Sequence, residues 1–372
     1  MTGKERVTAA VEHRSPDKIP VAEDFWDDTI TEWRNEGLPE NVSPNDYFDF
    51  DIINLGIDAS PRFEARLLKD DGEWITMQDR FGYVVRKLKH KSRTVDYQSY
   101  PVPDRAAWET VRGMFVMKPG EGSRIDDVAF PFRLTPEPAW DETRKKFRRL
   151  RDTGKYLLAT AYGPHEAAWR LRGFTETLMD IVLDPEFITD IAKTYSSFLL
   201  DVLDRCIAED IIPDGFMAIE DIAATRGMLF SPDHWRAVYK PSMKKLGDFL
   251  HGHDMHYWMH SCGNGESVFE DLIECGLDVI NPLEAKSGLD VRDLKERYGE
   301  RLTFYGNIDI RAMSDSEEAV EREVSGKLEA FAQGGGYIAH SDHSIPPEVS
   351  FDRYRHVIDL IRKYGGRAAV MQ

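Results

Sequence analysis

The chain has 372 residues, long enough to bury a large core in one domain or two, and its 41% hydrophobic and 31% charged residues exclude a disordered chain. With 66 acidic against 48 basic residues the net charge is −18, a field that repels phosphate backbones and anionic membrane surfaces; neither nucleic acid nor a membrane is an expected partner. The three cysteines, Cys206, Cys262 and Cys275, do not form the pattern of a disulfide framework. Together with a polar N-terminus and the lack of any continuous apolar run of membrane-spanning length, they point to a reduced cytoplasmic setting with thiolates free for metal.

Taken in chain order, short apolar runs ending in polar residues recur at 19–23, 52–55, 156–161, 215–220, 255–260, 277–281, 302–305 and 337–340. From residue 254 onward, helix-like segments separate them. Residues 266–275 carry Val268, Leu272 and Ile273 at helical spacing before Gly276, 291–298 end at Gly299, 316–333 end at Gly334, and 351–364 place Tyr354, Val357, Ile358 and Ile361 on one face. Strands alternating with helices imply a parallel sheet in an α/β protein, and eight such units close naturally into a (β/α)8 TIM barrel, with a doubly wound open sheet as the alternative.

Residues 57–150 interrupt this grammar. The runs 63–68, 74–77 and 83–88 read as antiparallel strands turned at Asp71-Gly72 and Phe81-Gly82, a β-rich insertion beside the barrel mouth. No linker, low-complexity tract or short repeat divides the chain, so residues 1–372 are expected to form a single barrel domain.

In such a barrel the C-terminal strand ends carry the chemistry. Those ends hold Glu23, Asp24, His165, Glu220, Asp221, His260, Cys262, Glu284, Asn307, Asp309, His340, Asp342 and His343. The sharpest element is His260-Ser261-Cys262-Gly263: strand alternation points the imidazole and the thiol the same way, a pair suited to Zn²⁺, and the glycine relieves the backbone beside them. His340 or His343 would complete a three-ligand site with an open position, the catalytic arrangement. Glu220, Asp221 and Glu284 are the candidate acid–base or supporting carboxylates, with Asp342, His165 and Asn307 as further site residues. His251, His253 and His256 precede or begin a strand and belong to the stabilising end of the barrel; His13, His90, His234 and His356 read as surface or packing residues.

The opening stretches TGKERV (2–7) and SPDKIPV (15–21) resemble the start of the uroporphyrinogen decarboxylase superfamily. The likeness continues through Gly163-Pro164, Asp184-Pro185-Glu186, Ser231-Pro232, the 260–263 segment, Asn281-Pro282, Gly306-Asn307 and Ile345-Pro346-Pro347. The resemblance implies a (β/α)8 barrel. Decarboxylases of that superfamily carry arginines directly after the first strand to receive substrate carboxylates, whereas this chain has Ala22 to Trp26 followed by Asp27 and Asp28, which would repel them. The zinc- and corrinoid-dependent methyltransferase branch is the better likeness: its metal site resembles His-x-Cys plus a late cysteine before a proline turn, and here His343 stands at the late position.

An imidazole in place of a thiolate makes the site one unit more positive and suits it to oxygen. The resemblance therefore implies demethylation of a small O-methyl substrate, such as a methoxyaromatic held by Phe25, Trp26 and Tyr162, with the methyl group passing to a reduced corrinoid. Asp254-Met255-His256 begins like a corrinoid-binding fingerprint, but Met259 stands where the required glycine should be, so the corrinoid is expected on a separate partner protein. No nucleotide-binding loop is present, and a homodimer is allowed. Two competing readings are a metal-free decarboxylase or lyase acting on a small carboxylate through Glu220, Asp221 or His260, and a non-enzymatic binding barrel with a structural metal.

Overall fold

The computed structural model describes residues 1–89, 91, 95–126, 134–331 and 334–366; His90 and the last two residues of the expected helix 316–333 lie outside them. Seven strands run parallel in one eight-stranded sheet, β1 (Ile52–Ile57), β2 (Tyr156–Tyr162), β3 (Gly215–Ile219), β4 (His256–Ser261), β5 (Val279–Pro282), β6 (Thr303–Tyr305) and β7 (Tyr337–Ile338), and the short strand Ile125–Asp126 pairs antiparallel with the end of β1. From β1 to β7 each pairs in parallel with the next, for example Ile52 with Tyr156, Leu158 with Gly215, and Trp258 with Val279.

The expected strand at 19–23 is reduced to a bridge, and that bridge joins the two edges of the sheet. Val21 pairs in parallel with Ala339 beyond β7, Ala339 N–H donates to Pro20 O at 2.8 Å, and Asp51 N–H, just before β1, donates to Val21 O at 2.9 Å. The result is an α/β barrel. Inside it, Ala22, Ile52, Tyr156, Leu158, Met217, Trp258, Val279, Tyr305 and Ile338 form one buried cluster with Val7, Ala10 and Val11. The last three belong to the helix Gly3–Val11, which plugs the N-terminal end and is fixed by a Thr2–Glu5 capping box.

A larger apolar layer lies outside the strands under the helices. The helix Pro185–Ala208 and the helix Phe351–Gly365, which starts from a Ser350 cap, both pack long aliphatic and aromatic side chains into it. The long charged helix spans Glu317–Ala330 from a Ser316 cap, and Val291–Tyr298 follows its expected bounds. Among the described residues no helix is long and apolar enough to cross a membrane.

Between β1 and β2 the chain makes a separate four-stranded antiparallel sheet from Arg66–Asp70, Trp74–Gln78, Val84–Leu88 and Val95–Ser99; the fourth strand was not among the expected ones. Its turn residue Phe81 packs edge-on against Tyr162 at the end of β2, with ring centroids 5.4 Å apart, and so docks the sheet beside the mouth. A buried charge cluster helps to hold the insertion: Asp58, just past β1, is paired with Arg62 at 2.8 Å and Arg80 at 2.9 Å.

Candidate active site

Strand parity decides which side chains enter the mouth, because consecutive residues of an extended chain point to opposite faces. Trp258 lies in the barrel interior, so His256 below it and His260 above it share that face, and Cys262 continues the row. Met217 inside places Asp221 inside and Glu220 outside; Ala22 inside does the same for Asp24 and Glu23.

The donors converge from four segments. Cys262 Sγ is 3.5 Å from His260 Nε2, which is 3.8 Å from Asp221 Oδ1. Single ligand atoms of Asp221, His260 and Cys262 all lie within 4.8 Å of one another, and so do those of Cys262, Glu284 and His343. Cys262 thus joins two overlapping sets with two imidazoles, one thiol and two carboxylates. This donor chemistry fits a zinc ion.

The orientation of His260 fits as well. Asn281, on the neighbouring strand β5, donates Nδ2–H to Tyr305 O at 2.9 Å, which turns its Oδ1 toward His260 Nδ1 at 2.6 Å. Nδ1 therefore carries the proton and Nε2 presents its lone pair to the cluster, the outer hydrogen bond typical of a metal-ligating histidine. Burial first, then the Asp221 and Glu284 carboxylates, push the Cys262 thiol well above the ordinary cysteine range. A cation among these groups would relieve that repulsion.

The loops are held in place by main-chain donors. Asp221 Oδ1 accepts Cys262 N–H at 2.8 Å, and Glu284 Oε2 accepts Gly263 N–H at 3.0 Å. Gly263 has φ +78°, and a Cβ there would lie 2.6 Å from the Ala224 backbone, so only glycine lets the chain turn directly after Cys262. Burial opposes ionisation of Glu284, but Lys286 at 3.0 Å, with Gly263 and Ser287, holds its carboxyl below the usual range. His343 is half-buried and stacks on Trp26, with centroids 5.8 Å apart; burial and then repulsion from His260 lower its pKa.

The remaining expected residues sit elsewhere. His340 is buried and faces Glu23 at 3.0 Å rather than the donor cluster. Glu220, completely buried, accepts the N–H groups of His165 and Glu166 and so caps the helix Pro164–Arg172; burial pushes its carboxyl well up. His165 is buried in the same place with Nδ1 3.0 Å from Tyr239 OH, and burial lowers its pKa to about 3. Asn307 donates to Leu283 O and Leu289 O and accepts Val291 N–H, while Asp342 accepts Ala285 N–H and Ile310 N–H; both brace the loop that carries Glu284.

Phe25 differs from expectation. Parity turns it away from the mouth into an aromatic cluster with Trp33, Phe50 and Tyr354, which leaves Trp26 as the ring beside His343. Tyr162 does reach the mouth region, where the Arg170 guanidinium lies 3.7 Å over its ring.

The profile of the uroporphyrinogen decarboxylase (URO-D) family matches residues 131–364. A protein named uroporphyrinogen decarboxylase from Pseudomonas putida (strain GB-1) is 32% identical over 90 residues, 23% of either chain. Another of that name, from Hydrogenovibrio crunogenus, is 28% identical over 158 residues, 41% of this chain and 43% of its own. These alignments span less than half of the curated relatives. In fold, the chain is similar to a structure described as a methyltransferase from Methanosarcina mazei: TM-score 0.65, 14% identity, 98% of this chain and 99% of that one.

Proposed function

The chain belongs to the uroporphyrinogen decarboxylase family, and from that premise we propose that it is a zinc-dependent methyltransferase that takes a methyl group from a small O-methyl substrate, a methoxyaromatic in the first instance, and delivers it to a reduced corrinoid carried by a separate protein. The observation that carries this reading is the pair of donor sets that share Cys262 in the mouth, Asp221–His260–Cys262 and Cys262–Glu284–His343. His260, Cys262 and His343 would hold the zinc. Asp221 and Glu284 either join them or hold the loops that carry them. When bound, zinc supplies Lewis acidity toward an oxygen that gains charge, and the corrinoid supplies the nucleophile for the methyl carbon.

The chain's own residues account for the rest. Asn281 fixes the His260 tautomer, Trp26 offers a ring face beside His343, and Phe81 packs on Tyr162 at the insertion side of the mouth. The segment after the bridge at Val21 carries Asp24, Asp27 and Asp28 and no arginine, which would repel the polycarboxylate that a porphyrinogen decarboxylase must receive. The similarity in fold to a methyltransferase is in keeping with this reading. The test is direct: zinc-loaded protein is mixed with 2-methoxyphenol and chemically reduced cobalamin. The reading expects the cobalamin spectrum to change to the methylated form in step with release of catechol. No change with the zinc-loaded protein, across a panel of methoxyarenes, would contradict it.

A further inference from the structure

Across the mouth from the donor cluster, where the segment around Val21 meets the end of β7, lies a second group of ionisable side chains that the proposed chemistry does not use. His340 is almost fully enclosed, and both of its ring nitrogens face acceptors. Nδ1 is 2.5 Å from Ser341 O; Nε2 is 3.0 Å from Glu23 Oε1 and 3.7 Å from Asp24 Oδ2. Nε2 lies near both carboxylates without the alignment of a hydrogen bond, so their pull on the ring is charge attraction, which favours the protonated form. Burial works against that charge, but Glu23 and Asp24 outweigh it and push the pKa up to about 9.

The two carboxylates divide the work by parity. Glu23 points outward and is used up by the protein: it accepts Ser341 N–H at 3.0 Å, Ser341 O–H at 2.7 Å and Tyr354 O–H at 3.3 Å, and its side chain is 2% exposed. Asp24 points inward, and its side chain is 45% exposed. Asn54 Nδ2 donates to Asp24 Oδ1 at a long 3.4 Å, and His340 Nε2 stays 3.7 Å away. Trp26, two residues on and of the same parity, stacks on His343 with centroids 5.8 Å apart, so this face of the segment borders the donor cluster.

We propose that Asp24 is the specificity-determining acceptor of this site: it takes a hydrogen-bond donor, a hydroxyl or a protonated amine, that the substrate carries next to the group reaching the His260–Cys262–His343 cluster, and it turns away a substrate with an anion there. The inference rests on the methyltransferase reading for the identity of the reacting group. His340, 3.7 Å away, adds a positive charge that favours the ionised carboxylate. A hydrogen bond to an ionised partner that has little competing water discriminates by about tenfold or more.

The experiment is calorimetric binding to the zinc-loaded full chain of three probes with the same methoxyl group: 2-methoxyphenol, 2-methoxybenzylamine and 1,2-dimethoxybenzene. The expected result is that the hydroxyl or the ammonium probe binds at least about tenfold tighter than the dimethoxy compound, and the tighter of the two identifies the donor. Asp24→Ala should reduce this preference to near unity, and Asp24→Asn, which keeps the shape without the charge, should lose most of it; thermal melting checks that each variant is folded. Equal binding of all three probes, or a preference unchanged in both variants, overturns the assignment of Asp24 and leaves the methyltransferase reading standing. Binding of none of them overturns both.

Discussion

At the N-terminal end of the barrel His251, His253 and His256 lie close together in sequence, yet each ring is occupied by the protein. His251 Nε2 is 2.9 Å from Asp278 Oδ2, His253 Nδ1 is 2.8 Å from Phe249 O, and His256 Nδ1 is 2.9 Å from Tyr156 OH. At the C-terminal end His260 and Cys262, from one strand end, meet Asp221, and Cys262 also meets Glu284 and His343 arriving from distant segments, while an acceptor behind His260 fixes which nitrogen is free. A dense run of histidines is therefore a weaker sign of a metal site than two donors of one parity at the top of a strand with a third arriving from elsewhere.

The sharpest way to break this comparison is to remove a donor from each end. His260→Ala should lower zinc affinity by more than the 10–100-fold typical of losing an outer hydrogen bond, whereas His253→Ala should leave it unchanged; a competition titration with a chromophoric chelator reads both. Equal losses at the two ends would erase the distinction. Asn281→Ala is the intermediate case. It touches no donor atom of the cluster, and freeing the His260 ring should cost about 10–100-fold in zinc affinity with little change in melting temperature.

Gly263→Ala probes the backbone that carries Cys262. A side chain at φ +78° costs roughly 1–2 kcal/mol, and the close approach to Ala224 adds to that, so a lower melting temperature and weaker zinc binding should appear together. The smallest effect concerns pH. The folded-state pKa of His340 lies at about 9, above its unfolded value, so its contribution to stability is fully present below the unfolded pKa and is lost as pH rises through about 9. Melting temperature should fall between pH 7 and pH 10, and the fall should be shallower in His340→Gln.

Much of this arrangement is legible in the sequence, because the central strands are buried on both faces and read as continuous apolar runs before polar ends. The pair at the barrel seam is less so: at 19–23 and 337–340 the expected strands shrink to a bridge at Val21 and to Tyr337–Ile338, and main-chain N–H groups of Val21 and Ser341 donate to the side chains of Asp51 and Glu23 instead of a ladder. In the site, strand position puts Glu220 and Asp221 side by side, and only parity separates them. One caps a helix and the other meets Cys262. The same rule separates Phe25 from Trp26, and Glu23 from Asp24, but it needs the register of the strand, which the sequence leaves loose at short irregular ends. The choice between His340 and His343 depended on which one finds Glu23, a contact across 317 residues that no local pattern carries.

The measurement that tests the central claim most directly is the zinc content of the purified protein by elemental analysis, compared with Cys262→Ala and His256→Ala. The account predicts about one zinc per chain in the wild type and in His256→Ala, and none in Cys262→Ala while the variant remains folded. A wild-type protein that contains no zinc and takes none up on titration, or a Cys262→Ala variant that keeps its full complement, would contradict it.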